Sequence, residues 1–189
     1  MNHEPIAIIG TGIRFPGGLD SCGQLWEFLM AGGDAIVGVP PDRWNLARFF
    51  DPEPGIRGKS VAARGGFVSG IDLFDPQQRL LLETAWEAIE DAGLVLDGPA
   101  DIGVYAGISH TDYQSIQGGQ ADRAGIGPHS PTGTAHSIAA NRISYCFNLT
   151  GPSIAMDTAC SSALTAVHMA VEHLRAGKCG AALAGGVTV

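Results

Sequence analysis

Ser153-Ile154-Ala155-Met156-Asp157-Thr158-Ala159-Cys160-Ser161-Ser162-Ala163-Leu164 is the stretch that decides the fold of this chain. Its first part, Ile154 to Met156, is a short apolar run of the kind that forms a buried strand. A helical pattern then begins at Cys160 and runs to Ala176, with Leu164, Val167, Val171 and Leu174 apolar. A thiol placed between the two lies at a helix N-terminus. There the unpaired backbone N–H groups and the positive end of the helix dipole favour thiolate over thiol. The small neighbours Ala159, Ser161, Ser162 and Ala163 leave room for a substrate at the sulfur. A free cysteine is also often a small buried hydrophobe. The junction, rather than the residue type, makes Cys160 a candidate nucleophile.

Working outward, the same alternation repeats. Upstream, Ile102 to Ile108 reads as a buried strand, and Ala135 to Tyr145 as a helix. Pro76 to Ala92 is the clearest helix, with Leu80, Leu81, Thr84, Ala85, Ala88 and Ile89 as its inward stripe and Trp86 as a core residue. Downstream, Gly177 suits a helix end, and Ala181 to Val189 reads as a small-residue strand. Ile6 to Ile9 reads as a further buried strand, and Ser21 to Met30 as a helix. Residues 31–70, rich in Gly and Pro, read as a long surface excursion, and residues 109–132 as a polar loop. Strands that alternate with helices argue a parallel α/β layer architecture. Gly10-Thr11-Gly12 after a strand invites a dinucleotide reading. The third glycine would fall at Phe15, however, and Pro16 follows, so no helix starts promptly there.

Composition excludes several classes. The net charge of -8 argues against nucleic acid and anionic membrane as partners, because both need a basic face. The four cysteines, Cys22, Cys146, Cys160 and Cys179, have neither C-x-x-C nor zinc-ligand spacing. No signal peptide and no apolar run long enough to span a bilayer occurs. The reading is a cytoplasmic protein with reduced thiols and no bound metal. At 189 residues it is one domain or part of a larger one. His110 and His129 read as loop histidines rather than catalytic bases.

Asp157-Thr158-Ala159-Cys160-Ser161-Ser162-Ala163-Leu164 resembles the active-site motif of β-ketoacyl synthases, and most of all the ketosynthase domains of modular type I polyketide synthases. Four other stretches resemble that family in the same order: Glu4 to Gly10 with Arg14-Phe15-Pro16-Gly17-Gly18; Asp75 to Glu83; Ser137 to Tyr145 with Gly151-Pro152-Ser153; and Gly185-Gly186-Val187. The resemblance implies an α/β, thiolase-like fold, of which residues 1–189 are the N-terminal half only, layered α/β/α with the nucleophile at a strand-to-helix junction. It implies that Cys160 accepts an acyl group from the phosphopantetheine thiol of an acyl carrier protein. Decarboxylative Claisen condensation with a malonyl-type extender then elongates a polyketide or fatty-acid chain. The partner implied is the carrier, with a homodimer formed through the complete domain and no cofactor bound directly. Asp157, Thr158 and Ser161 match motif positions as architecture. His168 matches a position that is not catalytic; eight residues from Cys160 is about 12 Å along a helix.

Two departures qualify the resemblance. The family's decarboxylation uses two histidines, in H-G-T-G-T-like and N-x-G-H-like motifs, and a lysine, all in the second half. This chain has neither motif, and His3, His110, His129, His136, His168 and His173 do not carry over. The family also has about fifteen residues between the positions of Phe74 and Asp75 that this chain lacks. Three readings follow: the N-terminal part of a condensing enzyme, a non-catalytic interaction module, or a thiolase-superfamily acyltransferase that uses coenzyme A esters.

Overall fold

The chain's computed structural model describes residues 4–71, 76–110, 112 and 130–188. Most of the expected 109–132 loop, His3, His129 and the Phe74–Asp75 junction lie outside them. The elements in chain order are α1 (Cys22–Met30), β1 (Ile36–Gly38), α2 (Leu46–Phe49), β2 (Arg64–Gly66), α3 (Pro76–Asp91), β3 (Ile102–Ile108), α4 (Ser130–Thr134), α5 (His136–Cys146), β4 (Ser153–Met156), α6 (Ser162–Arg175) and β5 (Ala181–Val187). They fall into two compact units, Ile13–Ile71 and the remainder.

The larger unit is built on a parallel sheet in the order β4-β3-β5. Val104 pairs with Ser153 on one side of β3. Ile102 pairs with Ala181 on the other. A parallel neighbour needs a crossover, and α6 supplies the one from β4 to β5. With a neighbour on each edge and helices on both faces, every residue of β3 is buried. The strand's period of two sorts its side chains between the faces. Ile102, Val104, Ala106 and Ile108 pack with Leu81 and Ala85 of α3 and with Ala139, Ala140 and Ile143 of α5. Tyr105 packs with Ala166 and Ala170 of α6 on the opposite face. The result is the expected α/β/α layering. Burying one such aliphatic side chain contributes about 1.5–3 kcal/mol.

Two of the matched motifs meet between helices. The Arg142 Nε on α5 donates to Gln78 Oε1 on α3 at 2.6 Å. Both Gln78 Nε2 and Arg142 Nη2 donate to the Thr132 carbonyl, each at 3.2 Å. A buried amide therefore has its partners, which explains a glutamine inside the inward face of α3.

Three expectations are corrected. Ile6 to Ile9 forms no strand, and Ile8 is 88% exposed. The segment instead ends against α3: a Cβ on Gly10 would lie 2.1 Å from the Ala88 carbonyl oxygen. The Thr11 amide donates to Asp91 at 2.9 Å. The segment closes on a helix rather than on a strand edge, so its apolarity is not converted into pairing. Trp86 is not core; it is 45% exposed, with its ring 5.6 Å from that of Phe147. The helix after β4 begins at Ser162, not Cys160, for the reason given below.

The smaller unit carries structure within the expected excursion. Helix α1 opens with a capping box in which Ser21 and Gln24 satisfy each other's backbone N–H. Strands β1 and β2 pair antiparallel, Ile36 opposite Gly66. Trp44 meets Phe67 edge-on at 5.9 Å.

Candidate functional site

Strand β4 ends at Met156, and the next five residues form a tight turn before α6. Ala159 takes φ +55°, a left-handed conformation that an L-residue adopts at a cost of about 1–2 kcal/mol. That twist delays the helix and leaves Cys160 one residue before the N-cap, Ser161. The turn is held by its own side chains. Asp157 Oδ1 accepts the Ala159 amide at 2.9 Å. Ser162 Oγ accepts the Thr158 amide at 2.9 Å and donates to the Ala159 carbonyl at 2.7 Å. Ser161 Oγ donates to the Thr158 carbonyl at 2.8 Å. Thr158 Oγ1 lies 3.0 Å from Thr165 Oγ1. Asp157, Thr158 and Ser161 are thus engaged in shaping the loop.

The thiol itself is exposed. The amides of Ser161 and Ser162 are taken by the carbonyls of Thr158 and Ala159. No acceptor among the described residues takes the amide of Cys160. A thiol and a free donor therefore sit together at the start of a 14-residue helix. That helix approaches the sheet closely because Gly107 has no side chain. A Cβ there would lie 2.5 Å from the Ser162 carbonyl carbon and 2.6 Å from the Ala163 nitrogen.

Cys160 lines an open cleft of about 660 Å³ at the C-terminal edge of the sheet. Ser109 and His110 enter it from the end of β3, Asp157 from the end of β4, and Val187 and Thr188 from the end of β5. Open α/β sheets place ligands at this edge. The structure therefore brings His110, read from sequence as a loop histidine, into the same cleft as Cys160. His168 is exposed on α6, and His173 is engaged elsewhere, its Nδ1 2.8 Å from the Tyr105 hydroxyl. Burial, with the Cys179 thiol 3.8 Å away, pushes the Tyr105 phenol well above its usual value. Among the described residues no group of three His, Cys, Asp or Glu is placed to hold a metal, and no helix is long and apolar enough to cross a membrane.

The comparisons with known proteins agree with this architecture. The family model described as "Beta-ketoacyl synthase, N-terminal domain" matches residues 3–189. The chain is 46% identical to phthioceranic/hydroxyphthioceranic acid synthase of Mycobacterium bovis, covering 98% of this chain and 9% of that protein. It is 42% identical to erythronolide synthase of Saccharopolyspora erythraea, covering 98% of this chain and 6% of that protein. The first of these alignments runs over 204 positions for a chain of 189 residues, so the relative carries residues that this chain lacks. Among solved structures, an oxazolomycin ketosynthase domain of Streptomyces albus matches with a TM-score of 0.80 and 34% identity, over 96% of this chain and 34% of that one. The ketosynthase from module 6 of the bacillaene synthase of Bacillus subtilis matches with a TM-score of 0.81 and 30% identity, over 97% of this chain and 32% of that one. These neighbours are ketosynthases of the thiolase-like fold, and they do not favour the interaction-module or coenzyme A reading. The chain spans about a tenth or less of its curated relatives and about a third of the matched ketosynthase chains. It belongs to the β-ketoacyl synthase family and corresponds to that family's N-terminal domain.

Proposed function

We propose that residues 1–189 are the N-terminal part of a polyketide synthase ketosynthase domain, and that Cys160 is the nucleophile that accepts the growing chain. The observation that carries this reading is the exposed Cys160 thiol at the start of α6, facing an open cleft, in a chain of this family. The thiolate attacks the carbonyl of an acyl group borne as a thioester on the phosphopantetheine arm of an acyl carrier protein. Backbone N–H groups, that of Cys160 among them, hold the developing oxyanion; each such donor is worth roughly 3 kcal/mol. Collapse expels the pantetheine thiolate and leaves the acyl group on sulfur.

In the complete domain, a malonyl-type extender on a second carrier loses carbon dioxide and its carbanion attacks the acyl-Cys160 carbonyl. The two histidines and lysine that this step uses belong, by the family resemblance, to a second half. The share of residues 1–189 is the acyl transfer. The complete domain works as a homodimer in the cytoplasm, with carrier protein as its partner, and with neither nucleic acid nor membrane.

The test compares hexanoyl transfer to the chain from a loaded carrier protein and from hexanoyl-coenzyme A, followed by intact mass. Faster transfer from the carrier is expected. Equal or faster transfer from coenzyme A would overturn the carrier assignment.

A further inference from the structure

The cleft holds one group that the acyl-transfer chemistry above leaves unused. His110 stands just past the end of β3, and Cys160 just past the end of β4. The two strands are parallel neighbours, paired as far as Gly107 with Met156. Beyond that last pair, β3 leads on to His110 and β4 to the turn that carries Cys160. Both side chains line the same cleft.

The imidazole is also oriented. Its Nδ1 lies 3.2 Å from Ser109 Oγ. Its carbonyl oxygen accepts from His136 Nε2 at 2.9 Å, which ties the end of β3 to the first residue of α5. The Ser109 hydroxyl can donate to Nδ1 or accept from it; in the tautomer with the ring proton on Nδ1, Nε2 keeps its lone pair, with no partner among the described residues. A nucleophile, a base and a third group that orients the base are the three parts of an activated nucleophile, recognised by geometry rather than by sequence position. Two other titratable side chains among the described residues at the site have partners. Asp157 lines the cleft with Oδ1 on the Ala159 amide, and His136 faces the His110 carbonyl.

We propose that His110 is the proton acceptor for the Cys160 thiol, with Ser109 and His136 as its positioning residues. This rests on Cys160 being the acyl acceptor. In the step, the Cys160 S–H proton passes to His110 Nε2, and the thiolate so formed bonds to the thioester carbonyl carbon. When the bond from that carbon to the pantetheine sulfur breaks, the proton returns from Nε2 to the leaving thiolate. Nothing else is consumed.

The experiment follows alkylation by iodoacetamide from pH 5 to 9, resolved by peptide mass because Cys22 and Cys146 are exposed too. It is run on the wild-type chain, His110→Gln and Cys160→Ala. The inference predicts that His110→Gln slows Cys160 alkylation at pH 7 by about tenfold, less than the roughly 10²–10⁴ a positioned base contributes to a full reaction. Free imidazole, which the open cleft admits, should restore the rate. An unchanged rate in His110→Gln, or a loss that imidazole does not rescue, would overturn the role of His110 and leave Cys160 as acceptor. A wild-type Cys160 that fails to react at any pH would overturn both.

Discussion

At the scale of single residues, Ala159 carries the largest local consequence. Its φ of +55° places the turn, and the turn places the thiol. Glycine would adopt that conformation freely, at about 0.5–1 kcal/mol of lost backbone entropy, against about 1–2 kcal/mol of relieved strain. Ala159→Gly should therefore leave the urea midpoint unchanged or raise stability by up to about 1.5 kcal/mol. Ala170→Gly, in the buried interior of α6, should lower stability by at least about 1 kcal/mol. Equal losses from the two substitutions would contradict this account of the turn. The position of Cys160 was legible because strand pattern, small residues and helix pattern follow one another in sequence. The helix start at Ser162 was not, because nothing in an alanine side chain announces a left-handed residue. That His110 lines the same cleft as Cys160 was not legible for another reason: the cleft joins residues fifty positions apart, brought together by neighbouring parallel strands.

At the scale of elements, the site depends on how closely α6 lies on β3. Gly107→Ala would force a methyl into the backbone of Ser162 and Ala163. The expected cost is about 1–3 kcal/mol of stability, as for other overpacked sites, together with slower acylation as the start of α6 shifts. Thermal unfolding and acyl transfer on the same sample check both. Tyr105 fixes the far end of the same helix through His173. Its phenol is raised in the folded state, so the neutral form is favoured there and the unfolded chain releases the proton first, near pH 10. The stability linked to it is present below that pH and is lost as pH rises above it. Urea unfolding between pH 9 and 11 should show this decline, and Tyr105→Phe should flatten it. The sheet and its helices were legible because β3 and the inward stripe of α3 carry their periods plainly. Ile6 to Ile9 was not, because an apolar run signals a preference for burial and does not say which edge will receive it.

At the scale of the whole molecule, three strands end at one edge and deliver Cys160, His110, Asp157 and Thr188 to one cleft. The parallel architecture, more than any single motif, makes that convergence possible, and it is the part of the function that the fold explains. On the proposed function, acyl acceptance falls to Cys160 and decarboxylation to the family's second-half histidines and lysine. The most direct test is to mix the chain with a hexanoyl-loaded carrier protein and follow the mass of each cysteine peptide with time. The account predicts an added hexanoyl group on the Cys160 peptide alone, absent from Cys160→Ala, with Cys22 and Cys146 unmodified. Hexanoyl transfer that persists in Cys160→Ala, or that reaches Cys22 and Cys146 as readily as Cys160, would contradict it.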